Sequence, residues 1–538
     1  MLQPVTMIHL RSVIICTALL LVTGAAAQKN YKRSHLQMLD QARVLLAAED
    51  YEQAAKLYKR LAPVDTNFAD AAYEFGVCLW NIPGMRDHAF PHLERAVRKN
   101  HTEAYYQLGL ARHRQMRFAD AIELFERYKK LHLRNIKDHE VDHAIAQCKT
   151  GRELVKDPVE VKVRNLGPMI NSTAHDYSPL VTADGNTMYF TSRRQGTRGG
   201  MKDMTGQYLE DIYVARRIDD MWTNAVNAGP NLNTISHDAT VGLNPDGSSM
   251  IVYRTGKDLV SGDLYEAHMH AMQWQAPVIM TDKINGKYHE PSASIAPGGD
   301  EIYFTSDRPG GFGGRDLYRI RRLPNGEWSM PLNLGPNVNT KYDEDAPFMH
   351  SDGTTLFFSS NGHTSMGGFD IFKVVLTDSD MNGWGKPQNL GFPLNTVNDD
   401  IYFSLSDDGT TGYFSSERPG GIGLQDIYQI IFPGSQLDHV FVRGVVADAG
   451  DEPVKARIIL TDPGTEEVIG VYNTNENTGR FFILLSQDQR CHMTVEAPGF
   501  LVHESEMTGR PNIPGSREMT FDVMLTASPD RDRLTRTE

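Results

Sequence analysis

The segment Tyr303-Phe304-Thr305-Ser306-Asp307-Arg308-Pro309-Gly310-Gly311-Phe312-Gly313-Gly314-Arg315-Asp316-Leu317-Tyr318 returns at 413–428 as Tyr413-Phe414-Ser415-Ser416-Glu417-Arg418-Pro419-Gly420-Gly421-Ile422-Gly423-Leu424-Gln425-Asp426-Ile427-Tyr428. A run of strand formers, a glycine-rich connection and an Asp-Leu/Ile-Tyr/Phe triplet make one unit. The triplet recurs at Asp211-Ile212-Tyr213, Asp263-Leu264-Tyr265 and Asp370-Ile371-Phe372. Trp222, Trp274, Trp328 and Trp384 stand 52, 54 and 56 residues apart, and Asn233, Asn285, Asn339 and Asn395 keep those intervals. Markers that drift together mean one unit copied five times. A period slightly above ~40–50 residues, rich in strand formers and turn glycines, predicts β-propeller blades.

Within each unit Asp184-Gly185, Asp246-Gly247, Asp352-Gly353 and Asp408-Gly409 read as hairpin turns, since glycine adopts positive φ without a steric penalty. Repeat two is worn: Tyr253-Arg254-Thr255-Gly256 has lost most of the pattern. Ahead of repeat one, Val159 to Val163 alternates as a strand, and Asn165-Leu166-Gly167 repeats the unit ends Asn333-Leu334-Gly335 and Asn389-Leu390-Gly391. The first strand is therefore expected to complete the last blade and hide both sheet edges. Five blades are favoured, with six as the alternative.

Two other textures flank the repeats. Over 30–156, Ala54, Ala89 and Ala121 are 35 and 32 residues apart, each followed four residues later by Tyr58, Leu93 or Phe125, and Gly76 precedes Gly109 by 33. Small residues that let paired helices approach, and large ones that plug the next repeat, form the tetratricopeptide pattern, with a capping helix near Val141 to Leu154. From 438 to 526, about seven short alternating runs, including Val440 to Val446, Arg457 to Thr461 and Phe481 to Leu485, suggest a β-sandwich. Residues 527–538 read as a charged, disordered tail. The fold class is thus multidomain, α followed by all-β: helical repeats at 30–156, a propeller at 158–433 and a sandwich at 438–526.

Arg11, the apolar run Ser12 to Val22 and Ala25-Ala26-Ala27 read as a cleaved export signal at 1–27, and no later run suggests a membrane span. The formal charge of −14 argues against nucleic acid and anionic membranes as partners. Cys78, Cys148 and Cys491 then remain; they read as buried apolar side chains, with a Cys78–Cys148 bridge as the alternative.

Chemistry-bearing motifs are sparse. His139-Glu140-Val141-Asp142-His143 matches the zinc-protease pattern, against which stands a solvated face on a repeat-capping helix. No Gly-x-Ser-x-Gly elbow or Walker loop occurs, and the glycine-rich loops lie between strands. Arg194, Arg308 and Arg418 recur ahead of Asp211, Asp316 and Asp426, which points to an ion pair or turn bond within each blade. Tyr342-Asp343-Glu344-Asp345 and Asn398-Asp399-Asp400 offer a rim calcium site, or else fill the place held by Asp176 and Glu290. His363 reads as a surface-loop residue. No catalytic, metal or cofactor residue is assigned, and the binding surface is left open.

These modules resemble known families. The blades are similar to exported WD40-like repeats of TolB type. Val442-Arg443-Gly444-Val445-Val446, Thr478-Gly479-Arg480-Phe481 and Val495-Glu496-Ala497-Pro498-Gly499-Phe500 resemble the carboxypeptidase regulatory-like (transthyretin-like) sandwich. Their order, with the junction Asn165 to Ser172 and Asp176-Tyr177-Ser178-Pro179, resembles the PorE-type periplasmic component of the Bacteroidetes type IX secretion system. That resemblance implies a non-enzymatic periplasmic scaffold at the inner face of the outer membrane, in secretion or gliding motility, holding an outer-membrane protein of PorP/SprF type. Members end in an OmpA-like domain, which this sequence does not show after Leu525, so peptidoglycan is expected to be reached only indirectly. A TolB-like envelope or cell-wall sensor is the alternative, and a zinc hydrolase the remote one.

Overall fold

The computed structural model describes residues 32–529 apart from 64–68, 132–135, 183–184, 204, 219–220, 245–246, 260, 272, 379–381, 407–408, 433–438, 466, 475–477, 487–488 and 511–517. The export signal expected at 1–27 and the tail beyond 529 lie outside the described residues, as do Asp184, Asp246 and Asp408 of the turns. The chain forms two compact units, divided at Pro158; Thr364–Gly368 and Thr396–Asn398 group with the first.

Among the described residues, the first unit holds seven α-helices: α1 (Arg33–Ala47), α2 (Tyr51–Leu61), α3 (Ala69–Asn81), α4 (Phe90–Arg98), α5 (Ala104–Arg114), α6 (Phe118–Lys130) and α7 (Asp138–Lys156). Consecutive helices pack on one another. Asp50 caps α2 by accepting the Gln53 N–H at 3.2 Å. Ala54, Ala89 and Ala121 are fully enclosed, as are Leu93 and Phe125. The contact that fixes the helix spacing is glycine against a large side chain. A Cβ on Gly76 would lie 2.7 Å from Leu93 Cδ2, and one on Gly109 would lie 2.5 Å from Phe125 Cε1. Cys78 and Cys148 are both free and buried, so the bridge alternative does not form; burial raises both thiols to about 12.

The second unit begins with five antiparallel sheets of one plan. Their first strands are Asp176–Val181, Asp238–Leu243, Ala293–Ile295, Glu344–Met349 and Asp400–Leu405. Second strands follow at Thr187–Ser192, Ser249–Thr255, Glu301–Ser306, Thr355–Ser360 and Thr411–Ser416. Third strands, which open on the triplet aspartates or just before, are Asp211–Ile218, Gly262–His270, Asp316–Arg321, Asp370–Asp378 and Asp426–Ile431. Short outer strands complete the first four sheets, and Lys162–Asn165 completes the fifth by pairing with Asp426–Ile431. That strand starts later than the alternation at 159–163 suggests, because the Val159 N–H bonds the Phe392 carbonyl instead. Gly185, Gly247, Gly299, Gly353 and Gly409 all turn at φ between 63° and 74° after the first strands.

The sheets close on themselves. Each first strand touches the first strands of both neighbours, and the fifth touches the first. Backbone bonds tie one sheet to the next: Asp238 N to Glu210 O at 2.9 Å, Glu344 N to Arg315 O at 2.9 Å, Asp400 N to Phe369 O at 2.7 Å and Asp176 N to Gln425 O at 2.8 Å. The apolar core is accordingly five inter-sheet clusters, the last joining Tyr413 and Ile427 to Met188, Phe190 and Tyr213. The tryptophan repeat serves this packing: Trp222, Trp274 and Trp384 each meet edge-on a tyrosine of the preceding sheet, Tyr413, Tyr189 and Tyr303.

The asparagine repeat has an equally specific cause. Asn395 Oδ1 accepts the Ile371 N–H at 2.8 Å, and its amide donates to the Ile371 carbonyl at 2.9 Å. Asn233 does the same for Ile212, Asn285 for Leu264, Asn339 for Leu317 and Asn171 for Ile427. Each third strand thus has its start pinned by a side chain acting as a neighbouring strand would.

The remaining strands form two four-stranded sheets. One combines His439–Asp448, Arg480–Ser486, Glu518–Thr520 and Val523–Leu525; the other combines Arg457–Thr461, Val468–Asn473, Arg490–Glu496 and His503–Thr508. Both contribute to one apolar cluster that includes Val442, Ile458, Ile483, Met493 and Leu525. Asn473 donates to Asp300 at 3.0 Å, tying these sheets to the third sheet of the ring. Ala527 and Ser528, read as tail, instead pair with Phe500 and Gly499.

Two substitutions test the packing. Gly109→Ala forces a methyl into Phe125 and is expected to destabilise the helical unit by about 1–3 kcal/mol, outweighing alanine's better helix propensity, as read by thermal melting at 222 nm. Asn395→Ala strips both backbone partners from Ile371, at a cost of roughly 2–4 kcal/mol, and amide exchange at Ile371 should accelerate ahead of other third strands.

Candidate functional site

The predicted arginines, triplet aspartates and calcium candidates of the repeats converge on one end of the ring, where first strands begin and glycine-rich loops end. Arg194, Arg308 and Arg418 do not pair with the triplet aspartates. Arg194 reaches Asp176 at 2.5 Å, Arg308 reaches Glu290 at 3.2 Å and Arg418 reaches Asp400 at 2.7 Å. Each also bonds the serine two residues before it and the carbonyl of Ile170, Ile284 or Leu394. Each stacks over two rings as well, such as Phe304 and Tyr318 under Arg308. The triplet aspartates close the loops instead. Asp316 accepts from Phe312 N at 2.6 Å, Gly313 N at 3.0 Å and Asn333 at 2.8 Å; Asp426 accepts from Ile422 N, Gly423 N and Asn165. The glycines are required by this fit: a Cβ on Gly313 would lie 1.9 Å from the Tyr342 carbonyl oxygen, and one on Gly423 would lie 2.2 Å from that of Ala174.

The worn repeat keeps the clamp by another route. Arg254 stands where the others have serine, opposite Asp238, and still reaches Asp238 at 2.5 Å and the Leu232 carbonyl at 2.8 Å. Neither Asp238 nor Arg254 stood out in the sequence, because the arginine has moved two residues along the strand. His363 is no free surface residue: its Nε2 lies 2.8 Å from the Val338 carbonyl and its ring packs against Phe358 and Phe372, the place arginine fills elsewhere. Glu344, without a guanidinium, takes Thr340 N, Thr340 Oγ1 and Ser360 Oγ at 2.7 Å each. Burial raises its carboxyl to about 7.

Immediately before the five first-strand acids stand His175, His237, His289, Asp343 and Asp399. His237 Nδ1 lies 2.9 Å from Glu210 Oε2, both buried. Arg315 donates to Asp345 at 2.5 Å, whose other oxygen takes the Ser292 hydroxyl at 2.5 Å. Arg193 pairs with Asp203 and bonds the Tyr208 carbonyl. The Tyr177 and Tyr402 rings meet at 5.6 Å, and burial, then neighbouring acids, push both hydroxyls well above the ordinary tyrosine range. Burial lowers His175 and His289. The sequence carried a signal for this cluster, since three histidines share one register position, but only the strand pairing reveals that position.

The calcium candidates prove to be committed to protein donors. Asp343 accepts from Arg315 N, Asp345 from Arg315 and Ser292, Asp399 from Phe369 N and Asp400 from Arg418. In α7, His139 is exposed, and Asp142 lies 2.5 Å from Lys129 Nζ. Among the described residues, no group of three or more His, Cys, Asp or Glu side chains is placed to hold a metal, and no helix is long and apolar enough to cross a membrane.

A tetratricopeptide-repeat family model matches residues 39–82 and 87–132. No curated protein matches the chain. Among solved structures, 3-chlorocatechol 1,2-dioxygenase from Rhodococcus opacus 1CP is 13% identical with a TM-score of 0.15, covering 17% of this chain and 60% of that one. Hydroxyquinol 1,2-dioxygenase from Pseudomonas putida DLL-E4 is 13% identical with a TM-score of 0.14, covering 17% and 57%. The dioxygenase domain of a carbohydrate-binding fusion from Streptomyces sp. SirexAA-E is 17% identical with a TM-score of 0.15, covering 18% and 84%. The chain spans about three-fifths of the first two, and scores this low carry no argument. The chain therefore carries tetratricopeptide repeats within 39–132, followed by a large β region.

Glu344 gives the site a pH signature. Its folded pKa, about 7, lies above the unfolded value, so the stability it supplies is complete below about pH 4 and is lost as pH rises through about 7. The loss amounts to roughly 3 kcal/mol, and Glu344→Gln should flatten that part of a denaturation profile measured from pH 4 to 8.

Proposed function

We propose that this chain is a non-enzymatic periplasmic adaptor that holds an outer-membrane protein of PorP/SprF type, in type IX secretion or the linked gliding apparatus. In this reading the ring of five sheets is a five-bladed β-propeller and the C-terminal sheet pair a carboxypeptidase regulatory-like sandwich. The tetratricopeptide match over 39–82 and 87–132 carries the proposal, because stacked helical repeats build preformed surfaces for protein partners. The ring supports it from the other side. Its repeated arginines, aspartates and asparagines are taken up by bonds that hold sheets and loops together, as a rigid platform requires.

The test uses the full chain with a photo-crosslinking residue at Val44 in α1 or at Met330 on the β unit, which are 68% and 71% exposed. Crosslinking in envelope extracts is expected to capture a secretion-linked outer-membrane protein from at least one position. Capture of Tol–Pal components or wall fragments alone would transfer the assignment to a TolB-like envelope protein, and zinc-dependent hydrolysis lost in His143→Ala would replace the adaptor with an enzyme.

A further inference from the structure

The five asparagines that pin the third strands are not equivalent. Asn171, Asn233, Asn339 and Asn395 are buried to 2% exposure or less, whereas Asn285 is half-buried. In those four, the amide also donates to the asparagine six residues earlier, at 2.8–2.9 Å. The second sheet has Ile279 at that place, so Asn285 turns instead to the Met280 carbonyl, at 3.3 Å. The residue after the pin differs as well. Ser172, Thr234 and Thr340 each give a backbone N–H and a hydroxyl to the first-strand acid. Asn285 is followed by Gly286, which gives Glu290 its N–H alone.

Neither space nor backbone conformation calls for glycine at 286. A Cβ there would lie 3.4 Å from Tyr288 Cδ2, an ordinary contact, and its φ lies outside the left-handed region. What glycine changes is reactivity. With no Cβ beside it, the nitrogen after an asparagine reaches the side-chain carbon unhindered, so Asn-Gly is the dipeptide most prone to cyclise. In the closed sheet both reacting groups are engaged. The Asn285 side chain is held by the Leu264 N–H and carbonyl at 2.8 Å and by Met280, and the Gly286 nitrogen by Glu290. The reaction is therefore confined to moments when the second sheet opens locally.

We propose that Asn285-Gly286 is a self-modification site gated by opening of the second sheet, with water as its co-reactant. The Gly286 nitrogen loses its proton to solvent base and bonds Asn285 Cγ, and the side-chain nitrogen leaves as ammonia. Water then opens the cyclic imide at either carbonyl, leaving aspartate or isoaspartate. At neutral pH the product carboxylate has no hydrogen to give the Leu264 and Met280 carbonyls, so the strand Gly262–His270 loses its pin for good. A ring that has opened there is thereby marked and weakened. The site belongs to the ring alone, so it stands or falls apart from the adaptor reading.

Peptide mapping by mass spectrometry, on the full chain held in mildly alkaline buffer, tests this. Conversion at Asn285 is expected to run at least about tenfold faster than at Asn171, Asn233, Asn339 or Asn395. It should stay at least about tenfold below the exposed Asn325-Gly326 pair in the folded chain, and match it once denaturant is added. Gly286→Thr supplies the missing hydroxyl and should slow conversion by about the same factor without lowering the melting temperature. In the converted fraction, amide exchange at Leu264 should outpace that at Ile212, Leu317, Ile371 and Ile427. Four results each overturn the proposal: conversion no faster than at the other pins, a folded-state rate equal to that of Asn325, undiminished conversion in Gly286→Thr, or unchanged exchange at Leu264 after conversion. The asparagines are compared within one unaltered chain, so a variant that fails to fold cannot mask the answer.

Discussion

Lys162–Asn165 lies antiparallel to Asp426–Ile431, and the rest of the β unit depends on that pairing. The other four sheets receive their outer strands and their asparagines from residues that follow in the chain. The fifth receives both from residues that precede the first sheet. Asn165 bonds Asp426 across 261 residues, and Asn171 holds the Ile427 backbone across 256. The asparagine pin, local in four sheets, and the bond to the triplet aspartate, local in three, thus become long-range contacts in the fifth. Without them the fifth sheet would present an open edge and leave the Ile427 backbone groups unbonded, costs that are large beside typical net stabilities.

The strength of this arrangement is that each repeat marker does one physical task. Tryptophan packs on a tyrosine of the preceding sheet, asparagine substitutes for a strand, the triplet aspartate gathers loop N–H groups, and arginine joins a first-strand acid to a serine, a carbonyl and two rings. Those tasks explain which positions tolerate drift. In the second sheet the arginine moves to the serine position yet keeps the acid and carbonyl. In the fourth, histidine keeps the carbonyl and rings but abandons the acid, and Glu344 is left among neutral donors with its carboxyl pushed up to about 7. The geometry survives both changes; the charge balance survives only the first.

Much of this was legible in the sequence because period is a one-dimensional signal. The helix spacing set by Gly76 and Leu93, the matching pair Gly109 and Phe125, and the asparagine and tryptophan intervals could all be read by counting. What could not be counted was pairing. Arg308 lies eight residues from Asp316 but bonds Glu290, eighteen residues back, because the fold brings the acid just ahead of the first strand, and not the triplet aspartate, within reach of its guanidinium. The same blindness hid the cluster that includes His237, Glu210, Arg315 and Asp345. Its members come from the ends of different strands and become neighbours only when the sheets stand around one axis.

The axis is also where repetition breaks, and that break has mechanical meaning. Perfect symmetry would place five small residues at these axial positions; Ser178, Thr240, Ser292 and Ala346 obey, and Tyr402 does not. A positive φ at an aromatic residue carries an energetic cost of order 1–3 kcal/mol, which persists only where surrounding contacts impose it. Here the Tyr177 ring and the nearby charges of Asp345, Arg315 and Glu210 surround the Tyr402 side chain. The tyrosine thus joins the axial wall to the polar cluster through its contact with the Tyr177 ring.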